Sequence, residues 1–174
     1  MNSLKDTILY LKSNFENIES FYKDFFLKKF SEETYVYSFP PLYKGIKYID
    51  TIIKESNGSY LWQCIFAKKA EIDLNFLPSH FLPEVASNLL EVNFNILQPK
   101  AELPEHTDHF DRTKINILLN DLDGDSYISL EKTPLYLRKK FDCVSFNYNK
   151  MHGAVNHSST PRITIAFLFN NELK

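Results

Sequence analysis

The sequence predicts a mainly β domain with N-terminal helices, in which short strands form a sandwich or small barrel and the helices pack outside it. Near residue 91 the apolar pattern changes from the three-and-four spacing of a helix to the two-residue alternation of strands. Turn residues separate the strand-like runs that follow. The aromatic content of 15 Phe, 10 Tyr and 1 Trp among 174 residues also suits a sheet-rich core.

The N-terminal half predicts both helices and strands. Residues 3–28 have the apolar spacing of an amphipathic helix, which we expect to cover one face of a sheet. A strand is expected at residues 34–39, a helix at 46–55, a strand at 60–67 and a short helix within 78–90.

The C-terminal half predicts five strands. In the first strand, three apolar residues (Val92, Phe94 and Ile96) alternate with two asparagines. The five strands are expected at residues 92–96, 114–119, 127–130, 143–148 and 162–169. Residues 120–125 lie between two of them and centre on Asp123-Gly124, which is typical of a hairpin turn.

The bulk properties bound the function. The length suits a single domain over residues 1–174, in which residues 1–90 support a β core at residues 91–170 that carries the site. The net charge of −2 gives no reason to expect a nucleic-acid partner, and no apolar stretch is long enough to cross a bilayer. The chain starts without a signal-peptide pattern, and its two cysteines, Cys64 and Cys143, favour free thiols. We therefore expect a cytoplasmic protein with no membrane partner, and the oligomeric state stays open.

Two stretches approach known metal motifs without completing them. If Gly124 were the sixth residue of an EF-hand loop, positions one and twelve would be Leu119 and Leu130, which offer no side-chain oxygen. The HxHxDH motif of binuclear hydrolases is also incomplete, because Pro104 occupies the position of its first His.

His106 and Asp108 form the strongest candidate metal site. Alternate side chains of a strand point to one face, so both can reach one ion, and this pair of ligand types suits Fe(II). A third ligand must come from a later strand, where His152 and His157 are the candidates. His152 is favoured because it follows an apolar strand and precedes Gly153, where the backbone can approach closely. His157 lies in a polar stretch typical of a loop.

Arg162 begins the last apolar strand and shares a face with Thr164. A guanidinium beside a hydroxyl is well suited to binding a carboxylate. The alternative is a strand-edge arginine paired with a surface acid. Four polar residues near these motifs could bind a polar substrate or be solvated loop residues: His109, Arg112, Asn156 and His157.

These motifs together resemble Fe(II)/2-oxoglutarate-dependent oxygenases, and most of all the aspartyl/asparaginyl β-hydroxylase group. The similarity covers about residues 92–170. It consists of a strand ending in Pro99, His106-x-Asp108, a basic strand from Arg112, an apolar strand before His152, and Arg162-x-Thr164 ten residues later. The resemblance implies a double-stranded β-helix, the jelly-roll or cupin-like fold, with iron in its mouth.

The resemblance also implies an activity. His106, Asp108 and His152 would bind Fe(II), which leaves positions for 2-oxoglutarate and O2. The enzyme would hydroxylate an amino acid, a peptide or protein side chain, or a small metabolite, while 2-oxoglutarate is converted to succinate and CO2.

The implied co-substrate contacts are Arg162 and Thr164, with Lys114 and Asn116 at positions where the group often has residues facing 2-oxoglutarate. Two alternatives stay open. A cupin-type metal enzyme that does not use 2-oxoglutarate would have no need of the arginine. A non-catalytic β-barrel binding module would hold no stoichiometric metal.

Overall fold

The computed structural model describes residues 4–14, 16, 19–20, 62–68, 88–108 and 111–170, and within 62–68 it describes the side chain of Trp62 alone. Glu16, Glu19, Ser20 and Asn88 are helical but lie outside the longer elements of the described residues. The longer elements are one helix and nine strands. In chain order they are α1 (Leu4–Ser13), β1 (Trp62–Lys68), β2 (Leu89–Leu97), β3 (Glu102–His106), β4 (Arg112–Leu118), β5 (Ser126–Leu130), β6 (Thr133–Tyr136), β7 (Cys143–Asn147), β8 (His152–Asn156) and β9 (Arg162–Asn170). No helix among the described residues is both long and apolar enough to span a membrane.

The strands form two antiparallel sheets. One has the order β1-β2-β9-β4-β7 and the other the order β3-β8-β5-β6. The pairs are nested, because β2 pairs with β9, β3 with β8, β4 with β7 and β5 with β6. This pairing is that of a jelly roll, and it confirms the double-stranded β-helix that the resemblance implied.

The outer face of the five-stranded sheet is apolar and is covered by α1. Leu4, Ile8 and Leu11 follow the helical spacing that places them on one face of α1, and they pack against this sheet. The buried residues of the sheet that form this core include Phe94, Ile117, Ile165 and Phe167. Burying each such side chain contributes about 1.5–3 kcal/mol. The expectation that the first helix covers one face of the sheet is therefore confirmed over the described residues.

The inner face of the same sheet is polar and yet buried. Five polar residues of this face are at most 7% exposed: Asn93 and Asn95 on β2, Asn116 on β4, and Arg162 and Thr164 on β9. They alternate with the outer core residues along each strand. The second sheet covers them, so the polar half of the alternation faces the interior of the barrel instead of solvent. Apolar residues fill the rest of this interior, including Leu97, Leu118, Ile128 and Phe146.

Several element predictions need correction. Beyond Ser13, where α1 ends, Glu16, Glu19 and Ser20 are also helical, as the helix predicted over residues 3–28 requires, and residues 21–28 lie outside the described ones. Of the short helix predicted within 78–90, Asn88 is helical, whereas Leu89 and Leu90 belong to β2. Two strands were not predicted: β6 contains a proline and β8 contains a glycine, and both residues weaken strand patterns. A strand through His106 and Asp108 was expected without stated bounds, and β3, which contains Pro104, ends at His106. The predicted strand at 34–39 and helix at 46–55 lie outside the described residues. The division into a supporting region and a core stays a prediction.

The two cysteines lie on the two edges of the five-stranded sheet. Cys64 is on β1 and Cys143 on β7, four interstrand spacings apart, which is roughly 19 Å. A disulfide requires Cα atoms within about 7 Å, so these two cannot bond to each other within one chain. Burial raises the pKa of the Cys143 thiol to about 11.

Candidate metal centre

Three potential metal ligands meet where β3 ends and β8 begins. His106 is the last residue of β3 and lies directly opposite His152, the first residue of β8. The centroids of their rings are 4.5 Å apart. Asp108 lies two residues after β3, and one ligand atom from each of the three residues falls within 4.8 Å of the others. Among the described residues, these three form the cluster of His, Cys, Asp or Glu side chains that could hold a metal ion.

Asp108 lies near His106, as predicted, but not for the predicted reason. The prediction placed His106 and Asp108 on one face of a continuous strand, but β3 ends at His106. The chain leaves the sheet at that point and brings the carboxylate between the two imidazoles. Its Oδ2 lies 3.8 Å from Nε2 of His106 and 3.4 Å from Nε2 of His152.

Both imidazoles are held in the same tautomer by the backbone. Nδ1 of His106 lies 2.8 Å from the carbonyl oxygen of Pro104, and Nδ1 of His152 lies 2.7 Å from that of Lys150. A carbonyl oxygen can only accept, so each Nδ1 carries the proton and donates it. Each Nε2 is therefore left with the lone pair that a metal ion requires, and each ring is oriented by its backbone hydrogen bond.

Burial also favours the metal-binding form of His106. Desolvation is the largest cause that lowers the pKa of this imidazole below its usual value. The hydrogen bond to Pro104 and the charge of Asp108 act in the opposite direction, while His152 and Lys114 act with the desolvation. The lowered pKa holds the ring in the neutral state, which is the state that binds metals.

Aromatic packing fixes His152 and distinguishes it from His157. The ring of His152 lies 5.0 Å from that of Phe146 and 5.2 Å from that of Tyr148, and the residue is 5% exposed. His157 instead lies at the surface, where its Nε2 is 3.6 Å from a carboxylate oxygen of Glu102. The structure thus brings His152, and not His157, to the other two potential ligands.

Gly153 lets β3 and β8 approach each other at this point. A Cβ atom on Gly153 would lie 2.8 Å from the carbonyl oxygen of Leu103 and 3.1 Å from the amide nitrogen of Glu105. The pairing of β3 with β8 also shifts register between Leu103 and His106. Close backbone approach and an irregular register together place His106 against His152.

A cavity of about 170 Å³ adjoins the three residues between the two sheets. Its volume is comparable to the roughly 150 Å³ of a protein cavity that accepts benzene. The predicted site residues on its wall, besides the three potential ligands, are Arg112, Lys114, Asn116, Arg162 and Thr164. Four further lining residues carry a polar side-chain atom and were not predicted to bind a ligand: Trp62, Glu91, Asn95 and Tyr148.

Arg162 is buried on the wall of this cavity and only partly satisfied. Its Nη1 donates to the carbonyl oxygen of Tyr127 at 3.0 Å and contacts the Ser126 hydroxyl at 3.4 Å. Within the described part of the chain, its buried Nε has no acceptor, and neither has the buried Nδ2 of Asn116. Desolvation lowers the pKa of Arg162 to about 10, so the guanidinium stays charged at neutral pH. A buried hydrogen-bond donor that has no acceptor costs about 1–3 kcal/mol. These two donors therefore favour a ligand rich in hydrogen-bond acceptors.

Two of the predicted substrate-binding residues, His109 and Asn156, are not on the described wall of the cavity. His109 lies outside the described residues. Asn156 is fully buried and is not on the cavity wall. Its amide nitrogen lies within 3.1 Å of three carbonyl oxygens, and its Oδ1 accepts from the backbone amide and hydroxyl of Ser158. The structure places Asn156 away from the cavity, with its amide occupied in holding the turn between β8 and β9.

Comparison with known proteins gives similarity in structure and none in sequence. No protein-family model matches the chain, and no curated protein sequence matches it. The cupin domain of Cnp3 from Schizosaccharomyces pombe is 10% identical with a TM-score of 0.46, over 66% of this chain and 69% of that one. A cupin domain of an XRE family transcriptional regulator from Enterobacter cloacae is 17% identical with a TM-score of 0.42, over 61% and 95%. A predicted oxalate decarboxylase from Thermotoga maritima is 13% identical with a TM-score of 0.43, over 62% and 81%. These scores are low, and the fold described above rests on the strand pairing of this chain.

Proposed function

We propose that this protein is an Fe(II)- and 2-oxoglutarate-dependent dioxygenase that hydroxylates its substrate. The observation that carries the proposal is one cavity with a group of two histidines and one aspartate on its wall and a buried, partly unsatisfied arginine on the same wall. Neither feature alone separates this function from the alternatives. A metal group without Arg162 would fit many cupin enzymes, and a buried arginine without the group would fit a binding module.

The donor set fits Fe(II). Two neutral imidazole nitrogens and one carboxylate oxygen on one face, with further positions open, are the ligands of non-heme Fe(II) oxygenases. Ligand atoms that bind one ion at about 2.0–2.2 Å and at right angles are about 3 Å apart. The separations of 3.4 and 3.8 Å from Asp108 Oδ2 to the two imidazoles need only small closure to reach this value.

The charges and the donors fit a dicarboxylate. A divalent ion beside Asp108 and a charged Arg162 give the cavity two net positive charges from these groups, which 2-oxoglutarate would neutralise. The unsatisfied donors of Arg162 and Asn116, and the hydroxyl of Thr164, would serve one of its carboxylates.

The distance between the arginine and the metal group is also suitable for a short co-substrate. Arg162 contacts Ser126 at the start of β5, whereas His152 pairs with Leu130 at its end. Four residues of strand span about 13 Å, and the arginine and the imidazoles each extend side chains into the cavity from their strands. A five-carbon dicarboxylate suits the remaining interval.

When bound, the iron and 2-oxoglutarate would supply the oxidation of a substrate C–H bond by O2, with succinate and CO2 as the other products. The residues of this chain would bind and orient the reactants. Pro104 and Lys150 hold the tautomers of the two histidines through their carbonyl oxygens. Phe146 and Tyr148 pack against His152 and exclude water from its side of the cavity.

Variants of the three histidines test the metal part of the proposal. His106→Ala and His152→Ala should each lower Fe(II) affinity more than about 100-fold, because even residues that only orient a metal ligand contribute 10–100-fold. His157→Ala is the matched control and should bind Fe(II) as the wild type does. Equal losses in all three variants, measured by anaerobic equilibrium binding, would contradict the assignment.

Calorimetry with 2-oxoglutarate tests the co-substrate part and separates the alternatives. The metal-loaded chain should bind 2-oxoglutarate, and Arg162→Ala should weaken this binding while leaving metal affinity unchanged. Arg138→Ala removes an exposed arginine that pairs with Asp125, and should change neither affinity. A cupin enzyme of another kind would bind metal without 2-oxoglutarate, and a binding module would hold no stoichiometric metal.

A further inference from the structure

Opposite charges flank an apolar residue on the inner face of the five-stranded sheet. Glu91 on β2 and Lys114 on β4 both lie directly opposite Leu168 on β9, one on each side of it. Two interstrand spacings put their backbones about 10 Å apart. Arg112 lies two residues before Lys114 on the same face of β4, and all four residues line the cavity.

This charged row lies at the same end of the cavity as the metal group. Lys114 pairs with Phe146, whose ring lies 5.0 Å from that of His152. The ammonium of Lys114 lies 4.6 Å from the centre of the Tyr148 ring, which is itself next to His152.

Arg162 lies towards the other end of the cavity. It precedes Leu168 by six residues, which is about 20 Å of extended strand. A co-substrate anchored at Arg162 would therefore reach the metal from one side and leave the row of Glu91, Leu168 and Lys114 to a second molecule.

We infer that the substrate is a free α-amino acid, bound as a zwitterion across this row. Glu91 would accept hydrogen bonds from its ammonium, and Lys114 and Arg112 would donate to its carboxylate. Leu168 would support the α-carbon, so that the side chain points towards the metal group. A residue within a protein lacks the two adjacent charges, and a simple acid or amine offers one of them. The inference rests on the proposed function, because the zwitterion is placed as the substrate of that reaction.

Binding without turnover tests the inference. The full chain is loaded with Zn(II) in place of iron, and the twenty proteinogenic L-amino acids are screened in pools by saturation-transfer NMR with 2-oxoglutarate present. At least one amino acid should bind, and its deaminated acid and decarboxylated amine should each bind about tenfold to a hundredfold more weakly. Absence of binding by all twenty, or equal binding of either analogue, would overturn the inference.

A charge-neutralising variant assigns the ammonium contact. Glu91→Gln should weaken the zwitterion about tenfold or more and leave the deaminated acid unaffected. Glu131→Gln is the matched control, because Glu131 is an exposed acid that pairs with Lys150 and is not on the cavity wall. A Glu91→Gln variant that binds the zwitterion as tightly as the control would overturn the assignment.

These outcomes are separable from those of the proposed function. If the iron-loaded chain binds 2-oxoglutarate but the zinc-loaded chain binds no amino acid, the inferred substrate class is wrong and the proposed function stands. If amino acids bind with the expected selectivity but 2-oxoglutarate does not bind, the zwitterion site is supported and the proposed reaction is wrong.

Discussion

Replacing Gly153 with alanine should damage the metal site through the backbone of β3, without altering any proposed ligand. The added Cβ atom would lie 2.8 Å from the carbonyl oxygen of Leu103, whereas ordinary contact begins near 3.4 Å. The two strands must therefore separate by about 0.6 Å at this point. Because the nearest atoms belong to the backbone, no side-chain rotation relieves the contact.

The size of this shift decides the effect on the metal. His106 follows Glu105 on β3, so the displacement moves its imidazole away from His152 on β8. Metal–ligand distances are met within about 0.2 Å in well-formed sites, and a 0.6 Å shift exceeds this tolerance. We expect Gly153→Ala to lower Fe(II) affinity about 10–100-fold. The overpacking should also cost about 1–3 kcal/mol of unfolding free energy.

Gly124→Ala is the matched control for this experiment. Its Cβ atom would lie 2.9 Å from the Cα atom of Ser158, so the steric conflict is similar, but it falls on the turn between β8 and β9. Urea denaturation should therefore show comparable losses of stability in both variants, while anaerobic Fe(II) binding should fail in Gly153→Ala alone. A folded Gly153→Ala protein that binds Fe(II) as the wild type does would refute the reasoning, as would an equal loss in Gly124→Ala.

Three further predictions follow from single residues. Arg162→Lys keeps the charge but loses the planar fork, so 2-oxoglutarate affinity measured by calorimetry should fall about tenfold or more, while Arg138→Lys leaves it unchanged. Asn156→Ala should lower the unfolding free energy by about 2–4 kcal/mol in urea titrations, because it leaves buried groups of the turn unbonded, and a loss within error of zero would contradict that role. Cys143, with a pKa raised from 9.0 to about 11, should be about 0.1% thiolate at pH 8 and react with disulfide reagents only slowly. Because folding raises this pKa, the protonated thiol contributes to the free energy of unfolding below pH 9, and the contribution should be lost as the pH rises towards 11. Urea titrations across this pH range should show the loss in the wild type and not in Cys143→Ser.

The strands with regular alternation were predictable, and those with a backbone irregularity were not. The sequences of β2 and β4 contain period-two alternation and that of β9 is an apolar run, and the structure contains all three strands. Pro104 obscures the bounds of β3 and Gly153 those of β8, although these two strands carry the two histidines of the metal group. Their irregular pairing produces the site, so local propensity is a poor guide where the chemistry lies.

The sequence alternation also could not show whether the polar side chains of the strands face solvent or the interior of the barrel. Asn93 and Asn95 alternate with apolar residues as solvent-facing positions do, yet both are buried. The second sheet, whose strands pair across long stretches of the chain, covers this face of β2 and makes it part of the interior. One signal was available: the polar positions of β2 are Glu91 and two asparagines without a lysine, although exposed strand faces commonly carry long charged side chains. Glu91 therefore became a candidate only through its place opposite Leu168.

The most direct test of the proposed function is an anaerobic titration of the Fe(II)-loaded protein with 2-oxoglutarate, observed by visible absorption. The proposal predicts that the weak metal-to-ligand charge-transfer band of the Fe(II)–2-oxoglutarate chelate develops with one equivalent bound. Arg162→Ala should need far more 2-oxoglutarate to reach the same absorbance, since a charge-assisted pair of this kind contributes about 2–5 kcal/mol. A folded wild-type protein that holds Fe(II) and shows no band at saturating 2-oxoglutarate would contradict the proposed function.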